Sequence, residues 1–328
     1  MKPTVSSSKT TSQAPKNNTI LYVLLGGLGL LFVGLFALVL VIHHAVAKAT
    51  GDSLLAGSGE ITLIEIQGPI YQSDDIVRRI RKFNKSSKSA LLLRLNSPGG
   101  AVAPSQEIYS EILNARKEKK VVVASMSSLA ASGAYYIASA CDKIVANPGT
   151  LTGSIGVIAE FPDASGLLKK FGLNFQTIKS GKFKDTGAFN RPMTPQEREY
   201  LQETINDVFQ QFVESVIEGR RDVFKQKLAD RWHVKPAQVT DQQIKGYILP
   251  YADGRVLTGK KAQELGFVDQ LGNYEDAVKL TANLAGIKGE PTVHLDRPVK
   301  WGDILDDLLP FSIGARLRNG FQLEYMAF

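Results

Sequence analysis

The chain has 328 residues, 44% of them hydrophobic, enough to bury the core of one large domain or two small ones. Its formal charge is +7, of which three lysines and no acids in residues 1–19 supply +3; no nucleic-acid-binding motif is present, and the basic runs Arg78–Lys82 and Arg116–Lys120 read as solvated helix faces, open to anionic lipid headgroups. A single cysteine, Cys141, excludes an intramolecular disulfide, and no Cys/His cluster has metal-ligand spacing, so neither a metal nor a cofactor is expected.

In chain order, residues 1–19 have the polar, basic composition of a disordered tail. Ile20–Ile42 then runs 23 residues without a charge, about 34 Å as a helix and long enough to span a bilayer. Lysines before it place the N-terminus in the cytoplasm and the rest outside the cytoplasmic membrane. Ala45-Val46-Ala47 resembles a signal-peptide cleavage site, yet the apolar run exceeds the roughly 7–15 residues of such a peptide. An uncleaved anchor is therefore expected, followed by a linker at 43–59, one domain at 60–290 and an extension at 291–328.

Within the domain, strands are predicted at Ile61–Ile66, Ala90–Leu95 and Val121–Ala124, with helices at Asp74–Phe83 and Pro104–Lys119. An Ala-rich helix covers Ala130–Ala140, where Cys141 packs as a small apolar residue. Short strands follow at Lys143–Ala146 and Ser154–Ile158, then a helix at Asp163–Phe171 and a strand at Phe175–Lys179. Thr194 opens a long helix, with Pro195 in its first turn and Glu197 as capping-box partner. Gly219–Gly246 reads as a charged, irregular insertion without an assigned role. Helices at Gly259–Leu265 and Tyr274–Leu284 follow, and Trp301–Leu309 is a further amphipathic candidate. Strands alternating with helices imply an α/β fold built on parallel connections.

The chemistry concentrates in Ser125–Val157, a stretch built largely from small residues. Ser132 follows a buried strand and starts a helix, where a hydroxyl is lifted from the sheet and the helix N-terminus favours negative charge. The same position suits a mere helix cap. Upstream, Leu91–Leu95 leads into Gly99-Gly100, whose backbone amides can turn toward an oxyanion. Ser97 beside them is a rival nucleophile or a loop-stabilising hydroxyl. The histidines are His43, His44, His233 and His294, none among the motifs, which disfavours a Ser-His-Asp triad. No Gly-x-Ser-x-Gly elbow surrounds Ser132. Lysine is the remaining base, and spacing alone does not separate Lys179, Lys182 and Lys184.

Asn96–Gly100 (NSPGG), Ala131-Ser132-Gly133, Leu151–Gly156 (LTGSIG), Lys179–Asp185 (KSGKFKD), Ala252–Gly259 (ADGRVLTG) and Glu264–Asp269 (ELGFVD) resemble the signal peptide peptidase A family of bacterial membrane serine proteases, in order, over residues 60 to 290. The resemblance implies a crotonase/ClpP-like stack of ββα units with no cofactor. It assigns Ser132 as nucleophile, Lys184 as general base and acid, Ser154 as the lysine's support, and Gly99 and Gly100 as oxyanion donors. It further implies a homo-oligomer with serine and lysine meeting at subunit contacts, seated at the bacterial cytoplasmic membrane. The substrates would be remnant signal peptides and other apolar peptides. Three alternatives compete: a processing protease for one membrane protein, as in the related stomatin-associated peptidases; an inactive peptide-binding scaffold; and a crotonase-type acyl-CoA enzyme.

Overall fold

The structure, a computed structural model, describes residues 31–41 and 60–296, which fall into two units. In the first, helix α1 occupies 31–41, inside the stretch expected to span a bilayer. The remainder of that stretch, the tail, the Ala45–Ala47 site, the linker and the Trp301–Leu309 helix lie outside the described residues. Among the described residues no helix is long and apolar enough to cross a membrane.

The second unit is a mixed α/β domain around an eight-stranded sheet. Strands β1 (Glu60–Gln67), β2 (Ala90–Ser97) and β3 (Val121–Ala131) run parallel at its centre, linked by helices α2 (Asp74–Lys85) and α3 (Val102–Lys117). Both sheet faces are buried, so side chains alternate between two cores. Leu91, Leu93 and Leu95 of β2 face the larger core, while Ala90 and Leu92 face the smaller. Burying one such leucine contributes about 1.5–3 kcal/mol.

Strand β3 is longer than its neighbour and bends. Two steps along β2, Leu95 to Ser97, match four along β3, Met126 to Ala130. This bulge sends the strand's two halves to different partners. Val123–Met126 pairs with β4 (Lys143–Ala146), and Leu129–Ala131 pairs with β5 (Leu151–Gly153). The short helix α4 (Gly133–Ser139) leaves from the end of the second half. β5 then pairs antiparallel with β6 (Val256–Thr258), and β7 (Gln270–Leu271) adds to β4.

Several elements differ from the sequence reading. No strand forms at Ser154–Ile158, because Ser154 takes a left-handed backbone (φ 50°) and ends the extended run at Gly153. The stretch from 157 to 189 holds only helix α5 (Ser165–Lys170), and Phe175–Lys179 is not a strand. Helix α6 (Pro195–Trp232) runs through much of the segment read as irregular, and α7 (Asp241–Ile248) follows it. The buried stripe Val213, Val216, Ile217, Arg220, Phe224 and Leu228 explains the continuation. Arg220 disguised that stripe: it is 1% exposed and reaches Asp269 at 2.8 Å. Helices α8 (Gly259–Leu265) and α9 (Tyr274–Leu284) fall where expected. Past Pro291, strand β8 (Thr292–Leu295) pairs parallel with β1 and joins the sheet.

Candidate active site

Ser132 occupies the junction of β3 and α4, with φ 53° and ψ −122°, a region that residues bearing a Cβ rarely enter. Such a backbone costs about 1–3 kcal/mol and persists only where its surroundings dictate it. Here the Ser132 N–H donates to the Gly153 carbonyl at 2.9 Å, and the Ser132 carbonyl accepts from Tyr136 N–H at 2.8 Å. Both backbone groups are thereby fixed, yet the side chain makes no capping hydrogen bond to α4. The hydroxyl is held at a strained turn without serving the helix.

The Gly99-Gly100 turn packs directly against Ser132. A Cβ built on Gly99, which has φ +96°, would lie 2.5 Å from the Gly133 nitrogen and 2.8 Å from Ser132 Cβ. One built on Gly133 would lie 3.3 Å from the Gly100 nitrogen. The two amides expected from sequence are not equivalent. Gly99 N–H donates to Ser97 Oγ at 3.1 Å, so Ser97, fully buried, is the loop-stabilising hydroxyl and Gly99 supplies the turn. Among the described residues, the N–H groups of Gly100 and Gly133 have no acceptor, and they are the pair beside the serine. Sequence reasoning gave Gly133 no oxyanion role. Its place at the first position of α4, where an N–H has no intrahelical acceptor, was the available signal.

Ser132, Gly100, Gly133 and Ser154 line one cavity of about 390 Å³. Ser154 N–H donates to the Arg255 carbonyl at 2.8 Å, which holds its left-handed backbone in the cavity wall. The buried end of the cavity is formed by Ser105, Tyr136 and Phe212, and the exposed end by Val102 and Ile158. Tyr136 OH lies 2.5 Å from Ser215 Oγ, and Ser105 Oγ donates to the Ala101 carbonyl at 2.9 Å. With those hydroxyls satisfied, the cavity offers an incoming chain a mixed surface, apolar at Val102, Ile158, Val208 and Phe212 and polar at Gln106 and Asp253. None of these wall residues, nor Val208 from α6, was assigned a role in the site from sequence.

The three lysines left open by spacing have different surroundings. Lys179 Nζ donates to Asp185 and to the Lys182 carbonyl, and Lys182 Nζ sits 4.5 Å from the centroid of the Phe183 ring. Lys184 is exposed, and among the described residues its ammonium has no partner. It does not line the cavity. Its neighbour Asp185 connects through Arg191 to Glu197 in the first turn of α6. Val208 and Phe212, which wall the cavity, lie about three to four turns further along that helix. Neither described histidine enters the site: His233 is the exposed C-cap of α6, and His294 pairs with Glu60 at 2.9 Å.

Comparison with known proteins fixes the family. The Peptidase family S49 profile matches residues 114–238 and 237–288. The chain belongs to peptidase family S49. A putative protease of Synechocystis is 40% identical over 230 residues, covering 70% of this chain and 75% of its own length. A putative signal peptide peptidase SppA of Enterococcus faecium is 32% identical, covering 72% of this chain and 62% of its own. Among solved structures, a membrane-bound stomatin-specific protease matches 74% of this chain and 100% of its own at 16% identity, with a TM-score of 0.46. As an S49 member the chain is a serine protease, and the S49 match covers Ser132, Gly133, Ser154 and Lys184 together.

Proposed function

We propose that the protein is a membrane-anchored serine endopeptidase in which Ser132 and Lys184 form the catalytic dyad. The observation that carries this reading is the Ser132 hydroxyl, which makes no capping hydrogen bond, beside the amides of Gly100 and Gly133, which have no acceptor among the described residues. In the reaction, Lys184 Nζ takes the proton from Ser132 Oγ as the oxygen attacks the peptide carbonyl. The tetrahedral oxyanion accepts hydrogen bonds from the two amides. Lys184 then returns the proton to the leaving amine, and water hydrolyses the acyl-enzyme by the same steps. Ser154 assists by holding the lysine. The crotonase/ClpP-like arrangement of ββα units belongs to this reading.

A lysine serves as base only where burial or nearby cations disfavour its ammonium form. Lys184 is exposed within one chain, so its burial requires a second copy. The same segment exposes Ile158, Phe171, Phe175 and Ile178, the last completely, and a second copy covering it would bury both the apolar groups and Lys184. The enzyme is accordingly a homo-oligomer whose sites combine Ser132 of one copy with Lys184 of the next. Ile20–Ile42 anchors it to the bacterial cytoplasmic membrane with the protease domain outside, facing remnant signal peptides and similar apolar chains.

The test is hydrolysis of an apolar fluorogenic peptide by the full-length chain in detergent. Ser132→Ala and Lys184→Ala should each lose at least about a thousandfold in kcat, on the scale of other covalent dyads and triads. Lys179→Ala and Lys182→Ala should keep the reaction. Retained activity in Lys184→Ala would assign the base elsewhere.

A further inference from the structure

The Lys184 N–H donates to the Gly181 carbonyl at 3.1 Å and its ammonium has no partner among the described residues, but both of its sequence neighbours are fastened to the start of α6. On one side the Phe183 ring stacks on Tyr200, with centroids 5.1 Å apart and planes 23° from parallel. On the other, Asp185 accepts from Arg191 Nε at 3.0 Å, and Arg191 Nη2 also donates to the Asp185 carbonyl at 3.0 Å. The same guanidinium reaches Glu197 through Nη1 at 2.9 Å and Nη2 at 2.5 Å. Glu197 completes the capping box, taking Thr194 N–H at 2.9 Å while its own N–H donates to Thr194 Oγ1 at 3.3 Å. Asp185 also engages Lys179.

We propose that the Phe183–Tyr200 stack and the Asp185–Arg191–Glu197 bridge form a two-point clamp that positions Lys184 for proton transfer, with Tyr200 and Asp185 as its positioning residues. The inference rests on the dyad reading above. A fork-shaped guanidinium bridging two carboxylates fixes direction as well as distance, which a lysine ammonium at the same place does not. Fastening Phe183 and Asp185 leaves the backbone between them little freedom. The helix these groups grip is packed into the core through its second half, so Lys184 is presented to the neighbouring copy from a fixed station on its own subunit. By pairing with Asp185, Lys179 is withdrawn as a competing base. A misplacement of about 1 Å in a proton-transfer group can cost a hundredfold in rate, so a clamp made of modest contacts can matter greatly.

The clamp predicts a separation of kcat from KM. In the full-length chain, Asp185→Asn, Arg191→Lys and Tyr200→Ala should each lower kcat tenfold or more with KM within twofold. Tyr200→Phe, which keeps the stacking ring, should remain near wild type. The half-exposed stack adds little to stability, whereas the Glu197 carboxylate is buried, so kcat and KM are compared at a temperature where thermal unfolding shows each variant folded. Asp185→Asn and Tyr200→Ala act on opposite sides of Lys184, so either decides if the other misfolds. Wild-type kcat in these variants, alongside inactive Ser132→Ala and Lys184→Ala, would overturn the clamp and leave the dyad standing. A raised KM at unchanged kcat, or Tyr200→Phe as impaired as Tyr200→Ala, would also overturn it. Activity in Lys184→Ala would remove the dyad and the clamp with it.

Discussion

At the scale of single residues, Gly100 and Gly133 are glycines for different reasons, and those reasons are separable. A Cβ on Gly100 would sit 2.2 Å from the Ile70 carbonyl oxygen, a backbone atom held in the bridge between Ile70 and Gly100. A Cβ on Gly133 would instead meet Ser105 Oγ at 2.5 Å, a side-chain atom that can be removed. Both substitutions should destabilise by about 1–3 kcal/mol through overpacking and impair hydrolysis. Adding Ser105→Ala should restore much of the stability of Gly133→Ala and none of that of Gly100→Ala, as thermal unfolding of the double variants would record. The strand-to-helix turn at Ser132 was legible because strand, small residues and helix follow one another. Its positive φ was not, since the Gly153 carbonyl that enforces it lies on a different strand.

Helix α6 shows how an element unites fold and site. Its N-terminal turn grips the lysine loop, its middle walls the cavity, and its second half packs into the core through Phe224. That ring is fully buried, with centroids 5.4 Å from Phe267 and 6.2 Å from Tyr247. Phe224→Ala should cost about 3–5 kcal/mol, a fall in melting temperature on the order of 10 °C, while the folded enzyme keeps its kcat. At the other end, Arg191 and the Thr194 backbone pull the Glu197 carboxyl down to about 2. A depressed carboxyl contributes fully above its unfolded value, near 4.5, and loses that contribution as pH falls through 2. Amide-exchange protection in the first turn of α6 should therefore survive at pH 3 and disappear below about pH 2; loss already at pH 4 would contradict the bridge. The start of α6 was readable from Thr194, Pro195 and Glu197, since capping is local chemistry. Its length was not, because Arg220 occupies a core position only by virtue of Asp269, 49 residues away in sequence.

For the molecule as a whole, the parallel sheet and its covering helices follow from alternating apolar strands and amphipathic helices. The β3 bulge and the late strand β8 do not, since both depend on partners distant in sequence. The same limit applies to the site: Ser132, Gly100 and Ser154 converge on one cavity, whereas Lys184 stands on the exposed apolar segment. If two copies complete one site, inactivating lesions on different copies can compensate each other. The decisive measurement mixes full-length Ser132→Ala with full-length Lys184→Ala under conditions that allow subunits to exchange, and follows peptide hydrolysis. Each variant alone should be inactive, and activity should appear on mixing, where an intact Ser132 meets an intact Lys184 from another copy. A mixture that exchanges subunits yet stays as inactive as its parts would contradict a dyad shared between copies.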